Sequence, residues 1–197
     1  MKNILSIDGW YFRVFSRLAN LIILNLLFIV SILPIVTIGI GGVALIKSLN
    51  ELKSDGTLSA FKVYTNYFRL NFKKGMILLG VELIGWLVPT SLIYVSLKYI
   101  PLLSTLLMIL FSFFLLLLIV FPLVFALNDL RVKEAIRGTL EFVTIRLPYA
   151  IAMFLVLIGI SFLSLKYSII FMFLVGVALV VNLQISLMKK GLASYGS

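Results

Sequence analysis

Glu82 is the only acidic residue inside an otherwise uncharged apolar run, Gly75–Leu97. An ionisable group at such depth is expensive in lipid and is a functional candidate for that reason. It would face a polar cavity or a partner helix. It lies eight positions beyond Lys74, roughly 12 Å along a helix, so snorkelling, a link to Lys73 or Lys74, or an interhelical hydrogen bond would also account for it. Four amides, Asn20, Asn25, Asn182 and Gln184, fall in or near apolar runs. They are candidates for a hydrogen-bonding patch that takes a polar ligand such as a sugar, and equally for interhelical contacts. Asn20 and Asn25, five apart, do not share one helical face well. Gly39-x-Gly41-Gly42 has the look of a nucleotide loop but lacks its lysine and its preceding soluble strand. With Pro34 and Thr37 it reads instead as a hinge, Pro34, Thr37, Gly39, Gly41 and Gly42 all being helix-weakening residues.

The chain has no cysteine and no histidine. Thiol nucleophiles, disulfides, haem ligation, the common zinc sites and imidazole bases are therefore excluded. No two carboxylates share one membrane depth, as paired acid–base chemistry would need. The residues predict a protein that is not an enzyme, with no catalytic, cofactor-binding or metal-binding residue.

The elements that must position these residues are apolar runs. Of 197 residues 62% are hydrophobic, and the mean hydropathy is +1.21. Five stretches, about 18–46, 75–97, 99–128, 147–165 and 167–188, approach or exceed the ~20 residues that a helix needs to cross a bilayer. The expected fold is all-α: a polytopic membrane protein, one integral membrane domain over residues 1–197, built as a bundle of five transmembrane helices.

Net charge is +10. In a chain with several spans, basic loops are the ordinary consequence of the positive-inside rule, so no nucleic-acid partner is expected. With five crossings, twelve of the seventeen Lys and Arg fall on the side of the C-terminus and five on the other: Lys2, Arg13, Arg17, Lys98 and Lys166. That predicts a cytoplasmic C-terminus and an N-terminus outside. The first stretch disturbs this count, because 18–46 would be about 44 Å long as one helix. If it folds back near Pro34–Gly42 there are six helices, the N-terminus becomes cytoplasmic, and only Lys98 and Lys166 remain opposite.

Two polar segments have helical amphipathicity. In the first, Ser54–Thr57 is a turn with Asp55 or Thr57 as helix cap, and Phe61, Tyr64, Phe68 and Phe72 then recur at helical spacing. Lys62, Arg69 and Lys73, with Lys74 just beyond, fall apart from those rings. Aromatics inward and cations toward anionic headgroups is the posture of a helix lying at a membrane surface. Lys62, Arg69, Lys73, Lys74, Phe68 and Phe72 are therefore the expected lipid or partner contacts. In the second, Asn128 or Asp129 would cap a helix striped by Ile136, Leu140, Val143 and Leu147. Both amphipathic helices are expected on the cytoplasmic side. Pro34 and Pro122 precede the two segments comparably, an arrangement like the internal repeats of transporters. Trp86, Tyr94 and Tyr99 suit an interfacial aromatic belt.

Leu24-Asn25-Leu26-Leu27-Phe28, followed by Leu33-Pro34-Ile35-Val36-Thr37-Ile38-Gly39, resembles the YesL family of bacterial integral membrane proteins. Tyr67-Phe68-Arg69-Leu70-Asn71-Phe72-Lys73-Lys74 is similar to that family's aromatic-x-x-Asn-Phe-Lys signature, and the likeness spans roughly residues 10–130. Ile40-Gly41-Gly42 departs from the Pro or Ala that often follows the turn glycine. The resemblance implies a multi-pass protein of the bacterial cytoplasmic membrane, of unestablished activity, encoded near carbohydrate-uptake systems. It carries over no catalytic or binding residue. The reading it supports is an accessory or scaffold protein of carbohydrate transport, whose partners are membrane lipids and an ABC-type sugar permease or another membrane protein. The alternative is a small secondary transporter or channel with a broken first helix.

Overall fold

The computed structural model describes residues 10–56, 58–99, 101–167 and 169–194. The described residues are helical nearly throughout. Helix α1 is Trp10–Ile32, α2 Ile38–Ser54, α3 Ala60–Leu70, α4 Phe72–Tyr99 and α5 Pro101–Leu127. Helix α6 is Val132–Ile145, α7 Leu147–Tyr167, α8 Ile169–Phe171 and α9 Val177–Ala193, with a π-helical turn at Met172–Gly176 between the last two. Six helical segments are long and apolar enough to cross a membrane. They correspond to the expected spans, except that the first stretch supplies two.

The five-span count is thus corrected to the six-helix alternative. The break falls at Leu33–Pro34, where the proline ring and its missing N–H interrupt the helical ladder. A short 3-10 turn, Ile35–Thr37, leads into α2. The Thr37 hydroxyl is shared between the carbonyls of Ser31 and Pro34, so the freed backbone groups are answered locally. Arg17 near the start of α1 and Lys189 near the end of α9 line one cavity, which puts the start of α1 and the end of α9 at the same end of the bundle. The five-span count required them at opposite ends.

Helix α2 is the centre of the bundle. It touches α1, α3, α4, α5 and α9, and Ile40, Val43 and Ala44 are wholly buried. Small residues make this possible, because without a Cβ two backbones can approach closely in lipid. A Cβ on Gly39 would strike the carbonyl oxygen of Gly75 and come within 2.8 Å of the Leu79 nitrogen, so α2 and α4 meet backbone to backbone. That contact lies in the first two turns of α4. Past Leu79, α4 runs on for roughly 30 Å, judged by helical rise, to Tyr99. The tip between α1 and α2 therefore stops beside the early part of α4. Leu33 and Ile35 at this tip are about three-quarters exposed, and no charged residue lies near them in sequence. The two turns at the opposite end of the bundle differ, each placing a lysine over a tyrosine ring: Lys98 over Tyr99 and Lys166 over Tyr167.

Pro122 sits inside the continuous α5, whereas Pro34 ends a helix. The two prolines are not structural counterparts, although each is followed by an amphipathic helix. Trp86 lies near the middle of α4, edge-on to Phe111 at 6.0 Å. It is too far from either end to join the belt expected of it, which is left to Tyr94 and Tyr99, both exposed.

Candidate functional site

The residues singled out for chemistry separate into four places. The first is Asn25, which is wholly buried. Its amide nitrogen donates to the carbonyl oxygens of Phe173 at 2.6 Å and Met172 at 3.2 Å, and its oxygen accepts from the Ala178 N–H at 2.8 Å. One side chain of α1 is thereby inserted into the backbone ladder of the last helix. A π turn widens the ladder by one residue and leaves groups out of α-helical register; Asn25 satisfies them.

The second place is the hinge. Gly41 approaches the Ser31 hydroxyl and the Tyr64 phenol, which lie 2.6 Å from each other. Gly39 makes the α2–α4 contact, while Gly42 has open space where a Cβ would be. So Gly39 and Gly41 form a packed corner, whereas Pro34 is exposed at the tip and Gly42, inside α2, has room for a Cβ. The amphipathic α3 is held to this corner. It buries Ala60, Val63 and Tyr64, and Tyr64 stacks on Phe68 at 6.2 Å. Phe61, Leu70 and Phe72 stay exposed, as do Lys62, Arg69 and Lys73. The aromatic face is therefore divided: Tyr64 and Phe68 pack on the protein and Phe61 and Phe72 do not. Asp55 closes α2 by its backbone rather than capping α3, which follows Ser59. Thr57 lies outside the described residues.

The third place is a charge node. Lys47 of α2 and Lys74 of α4 both donate to one oxygen of Asp129, each at 2.6 Å. Asp129 stands between α5 and α6 with φ of 49°, a left-handed conformation that aspartate tolerates better than most residues. The two lysine hydrogen bonds hold its carboxyl below the usual carboxylate range. Lys47 also lies over the Tyr67 ring at 5.7 Å. A hydrogen bond with Glu51, together with partial burial, pushes the Tyr67 phenol up to about 12. Asp129 is therefore not the cap of α6. That helix follows Arg131, whose N–H donates to the Glu134 carboxylate at 3.1 Å. Lys74 is committed to Asp129, so of the structural accounts offered for Glu82, a link to Lys74 does not hold. One carboxylate oxygen of Glu82 is buried without a hydrogen-bond partner.

The fourth place was not visible as a site in the sequence. A cavity of about 490 Å³ opens between α1, α2 and α9 at the end that carries Arg17 and Lys189. Three cations line it: Arg17, Lys53 and Lys189. Asn20, Asn182 and Ser186 add polar groups, and leucines form the remaining wall. The four amides thus split three ways. Asn20 and Asn182 share this cavity, Asn25 holds the π turn, and Gln184 is buried on another face of α9.

These features define a polytopic helical membrane protein with a helical hairpin, α1–α2, locked into its centre. Residues 21–95, which run from α1 through most of α4, match the family model described as "Protein of unknown function, DUF624". No curated protein matches the chain. No solved structure matches it either.

Proposed function

We propose that this protein is a non-enzymatic accessory or scaffold component of a bacterial transport system, one that takes up carbohydrate. The resemblance of roughly residues 10–130 to the YesL family supplies the carbohydrate context, and the match to the family of unknown function falls within that stretch, at residues 21–95. The observation that carries the scaffold role is α3. One face of it is fastened to α1 and α2, while Phe61, Lys62, Arg69 and Leu70 stay uncovered, as do Phe72 and Lys73 just beyond it at the start of α4. A basic and aromatic face held rigidly against a bundle suits a headgroup layer or a neighbouring membrane protein such as an ABC-type sugar permease. In the bacterial cytoplasmic membrane the charge bias puts α3, α6 and both chain ends on the cytoplasmic side.

Co-purification from the native membrane in mild detergent tests this reading. A sugar-permease component should be retained, and should be lost when Arg69 and Lys73 are both changed to Glu. Retention of no transporter component would overturn it. The alternative, a small secondary transporter, draws on the broken α1–α2 stretch and on Glu82 without a partner. Purified protein in proteoliposomes decides between them: solute flux abolished by Glu82→Leu would favour the transporter. Absence of flux, with Glu82→Leu folding normally, would favour the scaffold.

A further inference from the structure

The cations of the α1–α2–α9 cavity have a purpose that the positive-inside rule does not supply. That rule accounts for Lys and Arg at this end of the bundle, where they would ordinarily fan out into water. Here Arg17, Lys53 and Lys189 come from three helices and line one concavity, and none of the residues lining it is acidic. Glu51, two residues before Lys53, lines a different cavity beside Lys47 and Tyr67. The Lys53 ammonium gives one proton to the Asn182 carbonyl oxygen at 2.5 Å and another to the Ser186 hydroxyl at 2.7 Å. An ammonium has three protons, so one remains to be given. Lys53 is thus steered onto α9, next to Lys189. Like charges gathered beside a leucine wall repel one another through a medium less polar than water. An anion among them reverses the sign of that interaction.

We infer that this cavity binds a phosphate group, held by Arg17, Lys53 and Lys189 with Asn20, Asn182 and Ser186 as neutral hydrogen-bonding partners. The guanidinium offers a planar pair of donors matched to phosphate oxygens, and the two ammonium groups complete the charge. The volume of about 490 Å³ lies within the ~300–1,000 Å³ range of small-molecule sites. The group has two sources with the same chemistry: an anionic phospholipid headgroup entering from the bilayer, or a soluble phosphorylated metabolite entering from the aqueous side. The leucine wall accommodates the glycerol or acyl part of the first and the carbon skeleton of the second. This inference does not depend on the accessory reading.

The test uses the full chain purified in a neutral detergent. Phosphatidylglycerol, with phosphatidylcholine as the uncharged-balance control, forms the lipid arm; inorganic phosphate and glycerol 3-phosphate form the soluble arm. Thermal unfolding and native mass spectrometry report binding. A rise in unfolding temperature with phosphatidylglycerol but not phosphatidylcholine assigns the headgroup, and a rise with the soluble phosphates assigns the metabolite. Each of Arg17→Gln, Lys53→Gln and Lys189→Gln should weaken binding about tenfold or more, as expected for losing one charge-assisted hydrogen bond, whereas Lys166→Gln, exposed at the opposite end of the bundle, should not. Because a variant can fail to fold, the wild type carries a second measurement. Bound phosphate or phosphatidylglycerol should slow reductive methylation of Lys53 and Lys189 while leaving Lys98 and Lys166, both exposed at the opposite end, unchanged. No response in either arm, or binding undiminished in the triple variant, or no protection of Lys53 and Lys189, would overturn the inference.

Discussion

Replacing Asn25 by leucine removes three hydrogen bonds while keeping the branched shape of the side chain. The side chain has no solvent contact, so water cannot take over. The carbonyls of Met172 and Phe173 lose their donors, and the Ala178 N–H loses its acceptor. Interhelical hydrogen bonds in membrane proteins contribute about 0.6 kcal/mol on average and up to about 1.7 each. Three of them give an expected loss of roughly 2–5 kcal/mol, values that already include partners found in the membrane-inserted unfolded state. In an equilibrium constant that is roughly 30- to 4,000-fold. Reversible unfolding in mixed dodecyl maltoside and SDS micelles, followed by tryptophan fluorescence, measures it. Asn25→Asp should do no better, because an ionised carboxylate offers the two carbonyls no proton. A loss below about 0.5 kcal/mol for Asn25→Leu, the range of an inconsequential surface change, would refute the view that Asn25 completes the π turn.

Gly39→Ala drives a methyl into the backbone of Gly75 and Leu79 and should lower stability by about 1–3 kcal/mol, the cost of overpacking; Gly42→Ala, with open space, is the neutral control in the same assay. Asp129→Asn should destabilise by about 1 kcal/mol or less, since the Asp129 carboxylate is largely solvent-exposed although both lysine side chains are mostly covered. Asp129 titrates low in the folded state, so its contribution is present above the ordinary aspartate value of 3.8 and disappears as pH falls through the lower folded value. The stability difference between wild type and Asp129→Asn, followed from pH 7 downward, should therefore close only below that point; a difference independent of pH would count against the node. Single cysteines at Leu33 or Val36 should resist an impermeant maleimide in intact cells, because the tip stops beside the early part of α4, whereas cysteines replacing Lys98 or Lys166 should label. Equal labelling of all four would mean that the tip emerges into water.

Much of the fold was legible because lipid makes the relevant signal local. Backbone polar groups in a bilayer must be satisfied within their own helix, so an uninterrupted apolar run is already a structural statement. Residues 75–97, 99–128, 147–165 and 167–188 show this, each becoming a spanning helical segment with ends shifted by a few residues. Pro34 and the glycines after it marked the weak point of 18–46, but Pro89 and Pro122 sit inside continuous helices, so residue type alone left open whether the chain turned back there. The amphipathic character of 60–70 and 132–145 was legible from period alone. Which rings of α3 face protein was not, because Tyr64 and Phe61 differ only in what lies opposite them.

The sequence by itself determined an all-helical membrane protein and a strongly basic charge balance. The tertiary structure alone decided the rest. It paired Asn25 with a π turn almost 150 residues away, took Lys74 from Glu82 to Asp129, stopped the hairpin tip beside the early part of α4, and gathered Arg17, Lys53 and Lys189 from three helices around one cavity. The physical reason is common to all four. Hydropathy and helical period act over neighbouring residues and can be read along the chain, whereas the partner of a polar group in lipid is chosen by how close two backbones can come. Here that distance is set by glycines at 39, 41 and 75, whose role appears only once the helices they join are side by side.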